Sequence, residues 1–323
     1  MVRFFFSADV HGSEVVWRKW LNTPSQRGAN VVLFCGDLTG KKIIPLIKRG
    51  ENYWTCKAVG RTWEIRSEDE KKKMEKRLHD MGNYTIELTP EELSEYQKDP
   101  KKVEELFRRL MTERIRRWLT MAVEFLDKDV TIVCMPGNDD ETCIDDVIKE
   151  FEKEYDNVVY PIGKVVEFDG LPGYQMISME YVNPTPWNTP REEDEGKLWK
   201  RLEKLANKVS VDFDHVICNF HCPPHGTRLD IAPKIDKRTF KPVTRFGQVQ
   251  MEHVGSKSVR KFMEKYQPLL GLHGHIHESF ASDKIGNTVV VNPGSEYVSG
   301  VLRGFIIDIT PEKGLERYWK VEG

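Results

Sequence analysis

Residues 3–11 read RFFFSADVH, a short apolar run that ends in a carboxylate and an imidazole. Four further apolar runs end in the same way, at a small group of polar residues. The five runs are Arg3–Ser7, Asn30–Cys35, Val130–Met135, His215–Asn219 and Leu269–Leu272. They are rich in Val, Ile, Phe and Leu, which is typical of strands buried on both faces, and helical stretches lie between them. The sequence therefore predicts an α/β fold.

The polar groups that follow these runs contain seven side chains of the kinds that bind metal ions. They are Asp9, His11, Asp37, Asn138, His221, His275 and His277. Ligands of α/β folds bind at the carboxyl ends of strands, so we expect these side chains to converge on one rim. Nitrogen and oxygen ligands without thiolates suit Mn, Fe, Zn, Ni or Co. Two such ions about 3.5–4 Å apart can hold a phosphate, generate hydroxide at neutral pH and stabilise an in-line displacement.

Each polar group taken alone also has an ordinary structural interpretation. Gly36-Asp37 and Gly137-Asn138 are common turn sequences. Two histidines in Gly274–His277 favour a metal site more strongly, since clustered histidines often bind metal. The prediction of a metal site rests on the five polar groups taken together, because every one of them follows an apolar run.

The ordered set Asp9-Val10-His11, Gly36-Asp37, Gly137-Asn138, His221 and Gly274-His275-Ile276-His277 resembles the calcineurin-like metallophosphoesterase superfamily. The segments 221–224 and 292–295 are similar to its small prokaryotic phosphodiesterase-type branch. The resemblance implies a four-layer α-β-β-α sandwich of two mixed sheets. It also implies a single domain over residues 1–323, with an insertion of a hairpin and helices at about 41–127.

The resemblance further implies which residues hold each ion. The first ion would be held by Asp9, His11, Asp37 and His277, and the second by Asp37, Asn138, His221 and His275. Asp37 would bridge the two divalent ions together with a water or hydroxide that attacks phosphorus. We expect Mn first, with Fe, Zn, Ni or Co as alternatives.

One position departs from the family pattern. The family usually has a histidine directly after the asparagine, where it touches the phosphate and helps the leaving group. This chain has Asp139 there, followed by Asp140. An ionised carboxylate repels phosphate, so Asp139 is expected to be protonated, turned away or metal-linked. We count Asn138 and Asp139 as candidate catalytic residues and expect slow hydrolysis of esters with poor leaving groups.

Two residues after His221 are candidates for substrate binding. His225 could supply the missing acid, and Arg228 could donate to a phosphate oxygen through its guanidinium. A solvated turn and an ordinary surface arginine are the alternatives for these two positions. The basic loop at 230–250 that follows is either a phosphate-binding lid or a solvated loop.

The insertion at 41–127 has three interpretations. It could be a cap over the site, a dimerisation arm or a structural buttress. A hairpin carrying Trp54 and Trp63 and a long apolar-striped helix favour apolar surface that a homodimer could bury.

Composition limits the remaining classes. Lys+Arg number 49 and Asp+Glu 51, giving a formal net charge of -2, so no global basic field favours nucleic acid.

No apolar run approaches the roughly 20 residues of a membrane-spanning helix. Asp9 and His11 lie where a leader would be removed, so we expect a cytoplasmic protein. The six cysteines form no CxxC pair, which argues against a thiolate zinc site.

The leading functional hypothesis is a metal-dependent phosphodiesterase or phosphatase acting on a small phosphate ester, with nucleotides among the candidate substrates. A nuclease similar to the repair nucleases of the superfamily and a non-catalytic metal-binding scaffold remain as alternatives. The balanced charge argues against the nuclease. The full set of seven ligands argues against the scaffold, since scaffolds of this kind typically lose ligands.

Overall fold

All residues from 1 to 323 are described in a computed structural model, whose strands and helices we number in chain order. The first sheet has six strands: β1 (Val2–Ser7), β2 (Val31–Cys35), β7 (Thr131–Met135), β8 (Val158–Val159), β19 (Arg303–Thr310) and β20 (Gly314–Glu322). They lie in the order β20-β19-β1-β2-β7-β8. Strands β1, β2, β7 and β8 are parallel, whereas β19 is antiparallel to both of its neighbours. The sheet is therefore mixed.

The second sheet also has six strands: β9 (Val165–Val166), β10 (Gln175–Met179), β11 (Val216–Phe220), β16 (Leu270–Leu272), β17 (Ala281–Ile285) and β18 (Thr288–Asn292). Their order is β17-β18-β16-β11-β10-β9. The four central strands are parallel, and the two edge strands are antiparallel to them. This sheet is mixed as well, and the predicted α/β class with two mixed sheets is confirmed.

Eight α-helices complete the fold: α1 (Glu14–Leu21), α2 (Thr23–Arg27), α3 (Glu68–Asp80), α4 (Pro90–Lys98), α5 (Pro100–Phe125), α6 (Cys143–Glu154), α7 (Glu195–Ala206) and α8 (Lys257–Tyr266). Apolar side chains of α1, α5 and α6 share one buried cluster with the first sheet. Those of α7 and α8 share another with the second sheet. A third cluster contains residues of both sheets. The predicted order of the four layers stays a prediction, which the membership of these clusters supports.

The run Phe4-Phe5-Phe6 in β1 shows how the sequence builds these clusters. Successive side chains of a strand point to opposite faces. Phe4 and Phe6 lie in the cluster that contains residues of both sheets, and Phe5 lies in the cluster with the helices. Each is at most 2% exposed. The strand is therefore apolar at consecutive positions because both of its faces are buried.

The region predicted as an insertion contains a third sheet. Its strands are β3 (Ile43–Gly50), β4 (Tyr53–Ala58), β5 (Arg61–Ile65) and β6 (Tyr84–Leu88), in the order β5-β4-β3-β6. Trp54 is 1% exposed and packs with Leu46, Ile65 and Leu78 in a small cluster of this region. The expectation that Trp54 offers apolar surface to a second copy is wrong, because its ring fills this cluster.

The basic loop at 230–250 forms two small sheets with its neighbouring residues. Strands β12 (Ile231–Pro233) and β15 (Met251–His253) pair with each other, as do β13 (Thr244–Arg245) and β14 (Gln248–Val249). Short 3-10 helices lie at Phe213–His215 and Tyr297–Ser299. None of the helices combines the length and the apolar character needed to cross a membrane.

Candidate metal centre

The polar groups predicted as ligands follow the carboxyl ends of β1, β2, β7, β11 and β16. Asp9 and His11 come after β1, Asp37 after β2, Asn138 after β7, His221 after β11, and His275 and His277 after β16. The first three strands belong to the first sheet and the other two to the second. Side chains from both sheets meet here, so the structure brings together all seven predicted ligands.

Asp9, His11 and His277 form the first group, in which one ligand atom from each lies within 4.8 Å of the others. His11 Nε2 and His277 Nε2 are 3.0 Å apart, and His277 Nε2 is 3.7 Å from Asp9 Oδ1. Asp9 and His11 are both 0% exposed. Two imidazole nitrogens that face each other beside a buried carboxylate suit a bound cation.

Asp37, His221 and His275 form the second group by the same distance limit. Asp37 Oδ1 lies 3.5 Å from His221 Nε2. Asn138 Oδ1 lies 3.0 Å from the same nitrogen, so Asn138 adds a neutral oxygen to this group.

Asp37 lies between the two groups and presents one carboxylate oxygen to each. Its Oδ2 is 3.5 Å from His11 Nε2 in the first group. Its Oδ1 is 3.5 Å from His221 Nε2 in the second. This is the arrangement that a carboxylate bridging two cations requires.

The backbone of these loops is strained at the residues that carry the ligands. Asp9, His11, Asp37 and His275 have φ angles of 57°, 41°, 53° and 69°. Residues other than glycine rarely adopt a positive φ, and the strain persists only where the surrounding structure holds it. Four of the seven predicted ligands have such angles, which indicates that the fold holds these loops in a strained conformation that directs their side chains.

The glycines before Asp37 and Asn138 leave room for the ligands. A Cβ atom on Gly137 would lie 2.3 Å from Asp37 Oδ1, and one on Gly36 would lie 2.3 Å from His221 Nδ1. Any larger residue would displace a ligand at either position. Close packing around the ligands therefore favours glycine at both positions, and Gly36 also has a positive φ of 89°.

Hydrogen bonds orient two of the ligands. His221 Nδ1 lies 2.6 Å from the carbonyl oxygen of Cys35, to which it donates, and this leaves Nε2 facing the site. Asn138 Nδ2 donates to Thr189 Oγ1 over 3.0 Å, which turns the amide oxygen toward His221. Such partners fix the tautomer of a histidine ligand and the orientation of an amide. The sequence analysis had given Thr189 no role.

Asp140 joins the loops that carry Asp37 and Asn138. Its carboxylate is 0% exposed and accepts hydrogen bonds from the N–H groups of Leu38, Thr39 and Gly137 and from Thr39 Oγ1. Burial and the nearby Asp37 carboxylate raise the pKa of Asp140. Asp140 therefore faces the backbone between these loops and does not contact the ligand groups as a further ligand.

Asp139 makes an ion pair that the sequence did not predict. Lys41 Nζ lies 2.5 Å from Asp139 Oδ2, and the same oxygen is 4.0 Å from His11 Nδ1. Burial lowers the pKa of Lys41, but Asp139 and Asp37 outweigh this and raise it, so the ammonium keeps its charge. Of the three expected states of Asp139, a metal-linked one stays a prediction, since its carboxylate also forms a possible ligand group with His11 and Asp37.

The structure does not bring His225 and Arg228 to the ligand groups. His225 Nδ1 lies 3.6 Å from Asp230 Oδ2, and its ring packs 5.8 Å from that of His253. The Arg228 side chain is 69% exposed and lies 3.8 Å from Asp283. These contacts give neither residue a link to the site, and a role in substrate binding remains a prediction.

The insertion contacts the loop that follows Asp9. Arg114 Nη1 on α5 donates to the carbonyl oxygen of Gly12 over 2.6 Å, and Ser13 Oγ donates to the carbonyl oxygen of Asp80 over 2.6 Å. A Cβ atom on Gly82 would lie 2.2 Å from the carbonyl oxygen of His11. These contacts support the buttress interpretation of the insertion.

Tyr297, like Lys41 and Thr189, lies near the site without having been predicted from the sequence. Its ring centroid lies 4.8 Å from that of His11 and 6.0 Å from that of His277. It follows the segment 292–295, in which Ser295 Oγ donates to the carbonyl oxygen of Asp9 over 2.7 Å. The segment 292–295 resembles the family, but this resemblance ends two residues before Tyr297.

The electrostatics of the site fit a bound cation. Burial, followed by the Asp139 carboxylate, raises the pKa of Asp37, and burial and Lys41 hold the pKa of His11 well below its usual range. Burial lowers the pKa of His275 to about 3. His11 Nδ1 is buried without a hydrogen-bond partner. Burial also lowers the pKa of His221, but the Asp37 carboxylate outweighs this and raises it well above its usual range. Buried carboxylates clustered with imidazoles are costly for the protein alone, and divalent cations would offset that cost.

Comparisons with known proteins identify the family of this chain. A model of the calcineurin-like phosphoesterase family matches residues 2–279. An uncharacterized protein of Methanocaldococcus jannaschii, MJ1162, is 34% identical over 164 residues, which cover 50% of this chain and 63% of that protein. The chain thus spans less than two thirds of the length of this curated relative.

Two solved structures share the fold at low sequence identity. The protein TT1561 of Thermus thermophilus has a TM-score of 0.54 and 11% identity, covering 99% of this chain and 98% of its own. Another crystal structure has a TM-score of 0.60 and 14% identity with the same coverage of 99% and 98%. At such identities the likeness concerns the fold alone.

Proposed function

Because the chain belongs to the calcineurin-like phosphoesterase family, we propose that it hydrolyses small phosphate esters at a centre of two divalent metal ions. The observation that carries the proposal is the position of Asp37. Its two oxygens lie 3.5 Å from His11 Nε2 and 3.5 Å from His221 Nε2, so one carboxylate serves two groups of ligands.

Each ion would be held by one of these groups, with Asp37 common to both. Asp9, His11 and His277 would complete the first set, and Asn138, His221 and His275 the second. When bound, such a pair of ions polarises phosphate oxygens and makes hydroxide available at neutral pH.

The donor set contains nitrogen and oxygen ligands only, which suits Mn, Fe, Zn, Ni or Co, and of these we propose Mn. Neither group of ligands contains a cysteine.

The chain's own residues bind and orient the substrate. The Asn138 amide is held by Thr189, so its oxygen stays directed at the site. The residue after Asn138 is Asp139, whose carboxylate pairs with Lys41, so this position lacks the histidine that the family resemblance implies for assisting a departing alkoxide. The proposal therefore favours substrates with good leaving groups, such as nitrophenyl esters, over esters that release an alkoxide.

A hydrolysis screen with added Mn tests the proposal. It should include cyclic nucleotides, nucleotides, a nitrophenyl diester, a nitrophenyl monoester, an alkyl monoester and single-stranded DNA. Asp37→Ala is expected to reduce hydrolysis to the uncatalysed background, and Asn138→Ala by roughly 100-fold or more. Asp169→Ala is a matched control, since Asp169 is exposed and distant in sequence from every ligand.

Full activity in both site variants would show that the ligands are assigned to the wrong residues. Absence of hydrolysis by the Mn-loaded wild type on every substrate would refute the proposed activity itself. Equal rates on the nitrophenyl diester and the alkyl monoester would refute the expectation about leaving groups. Cleavage of DNA at low protein concentration would replace the small-substrate proposal by a nuclease.

A further inference from the structure

Lys41 places a permanent positive charge at the edge of the candidate metal centre. Its Nζ lies 2.5 Å from Asp139 Oδ2. The backbone N–H of Asp139 donates in turn to Asp37 Oδ1 over 2.9 Å. The ammonium is thus linked through a single residue to the carboxylate that the two ligand groups share.

The side chain of Lys41 is more exposed than that of its partner: 43% of the Lys41 side chain is exposed, against 16% for Asp139. Lys41 is therefore partly open to solvent, while Asp139 holds its ammonium in place. A lysine ammonium has three donors, so a bond to Asp139 leaves two for another acceptor.

The other basic side chains considered for this role are directed elsewhere. Arg228 lies 3.8 Å from Asp283, and His225 lies 3.6 Å from Asp230. Lys41 alone among these three contacts a residue that touches the ligand groups, through the pair of Asp139 with His11. Asp139 by itself would repel a phosphate, and the ammonium cancels that charge at the point of contact.

We propose that Lys41 is a substrate-binding residue whose ammonium holds an anionic oxygen of the phosphate group, with Asp139 as the positioning residue that keeps it there. The inference deepens the proposed function and rests on it for the identity of the substrate as a phosphate ester. It adds that the insertion, which begins at this residue, contributes to phosphate recognition.

Binding of inorganic phosphate to the Mn-loaded protein tests this role without requiring turnover. Calorimetry should compare the wild type with Lys41→Met, Lys41→Arg and Lys42→Met. Lys42 is the matched control, because it is also exposed and its backbone carbonyl pairs with the N–H of Tyr84 over 2.8 Å. Loss of a hydrogen bond to a charged partner predicts roughly 10- to 100-fold weaker phosphate binding in Lys41→Met.

The conservative variant and the metal content separate binding from structural support. Lys41→Arg keeps the charge and should bind phosphate within about tenfold of the wild type, and Lys42→Met should match the wild type. Manganese content, measured by elemental analysis, should be the same in all four proteins. With a nitrophenyl ester, Lys41→Met should raise KM more than it lowers kcat.

The proposal fails if Lys41→Met binds phosphate as tightly as the wild type, or if it loses manganese. It also fails if the Mn-loaded wild type binds no phosphate. Phosphate binding that depends on Lys41, in a protein that hydrolyses none of the esters in the screen, would refute the proposed activity and leave this inference intact.

Discussion

Asp140→Asn should weaken the metal centre although Asp140 is not among its ligands. The carboxylate joins two loops: Oδ1 accepts from the N–H and Oγ1 of Thr39, and Oδ2 accepts from the N–H groups of Leu38 and Gly137. These loops carry Asp37 and Asn138. An asparagine has the same shape, so the substitution changes hydrogen bonding without creating a cavity.

The expected loss of stability follows from the number of hydrogen-bond acceptors that remain in the Asp140→Asn variant. The asparagine amide keeps one oxygen, and its best orientation leaves that oxygen on the N–H groups of Leu38 and Gly137. Its NH2 group then faces the N–H and the hydroxyl of Thr39, and the hydroxyl can rotate to accept from it. One buried N–H loses its partner, which costs about 1–3 kcal/mol. The raised pKa of Asp140 shows that burial beside Asp37 already disfavours its charge, and removing that charge recovers part of the cost. We therefore expect a loss of about 1–3 kcal/mol in the free energy of unfolding.

Urea denaturation of the metal-free proteins measures this loss, and calorimetry with Mn measures the effect on the site. Partners that orient metal ligands are typically worth about 10- to 100-fold in affinity, and we expect a decrease in that range. Thr39→Val is the matched control, since it removes one of the four donors and should cost about 1 kcal/mol. Stability within about 1 kcal/mol of the wild type together with unchanged Mn affinity would refute the role given to Asp140.

Three further predictions concern stability and the insertion. Arg3 lowers the pKa of buried Asp308, so the stabilisation that this ion pair provides is present above pH 3.8 and is lost as pH falls through the lower pKa of the folded state. Asp308→Asn should therefore lower the free energy of unfolding by about 2–4 kcal/mol at pH 7, measured by urea denaturation. An equally large effect of the substitution at pH 3 would contradict this. Gly82→Ala should impair Mn binding because its Cβ would lie 2.2 Å from the His11 carbonyl oxygen, whereas Gly60→Ala has the same positive φ in open space and should not. A chelator should lower the free energy of unfolding, relative to protein at a hundredfold excess of Mn over Kd, by about 2.7 kcal/mol per ion, and no change would exclude binding.

Five strands of the two main sheets, β1, β2, β7, β11 and β16, could be predicted because each is short, apolar and followed by polar residues. The strand β3 could not be predicted in this way. It contains Pro45, which lacks an N–H, and proline argues against a central strand. In the structure β3 pairs with β6 over Ile43–Ile47 and with β4 only over Ile47–Gly50, so Pro45 lies where the strand has a partner on one side alone.

The side chains proposed as ligands could be selected from the sequence for a related reason, namely that each follows one of these five strands. Lys41, Thr189 and Tyr297 have no such mark in the sequence. They reach the site through loops and through the start of the insertion, and only the folded chain shows that Thr189 lies beside Asn138. The same limit explains His225 and Arg228, whose nearness to His221 in sequence did not translate into contact with the ligand groups.

The most direct test of the account is a crystal structure of the Mn-loaded protein measured at the Mn absorption edge. The account predicts two anomalous peaks about 3.5–4 Å apart, with one Asp37 oxygen directed at each. A single peak, or two peaks that do not share Asp37, would contradict it.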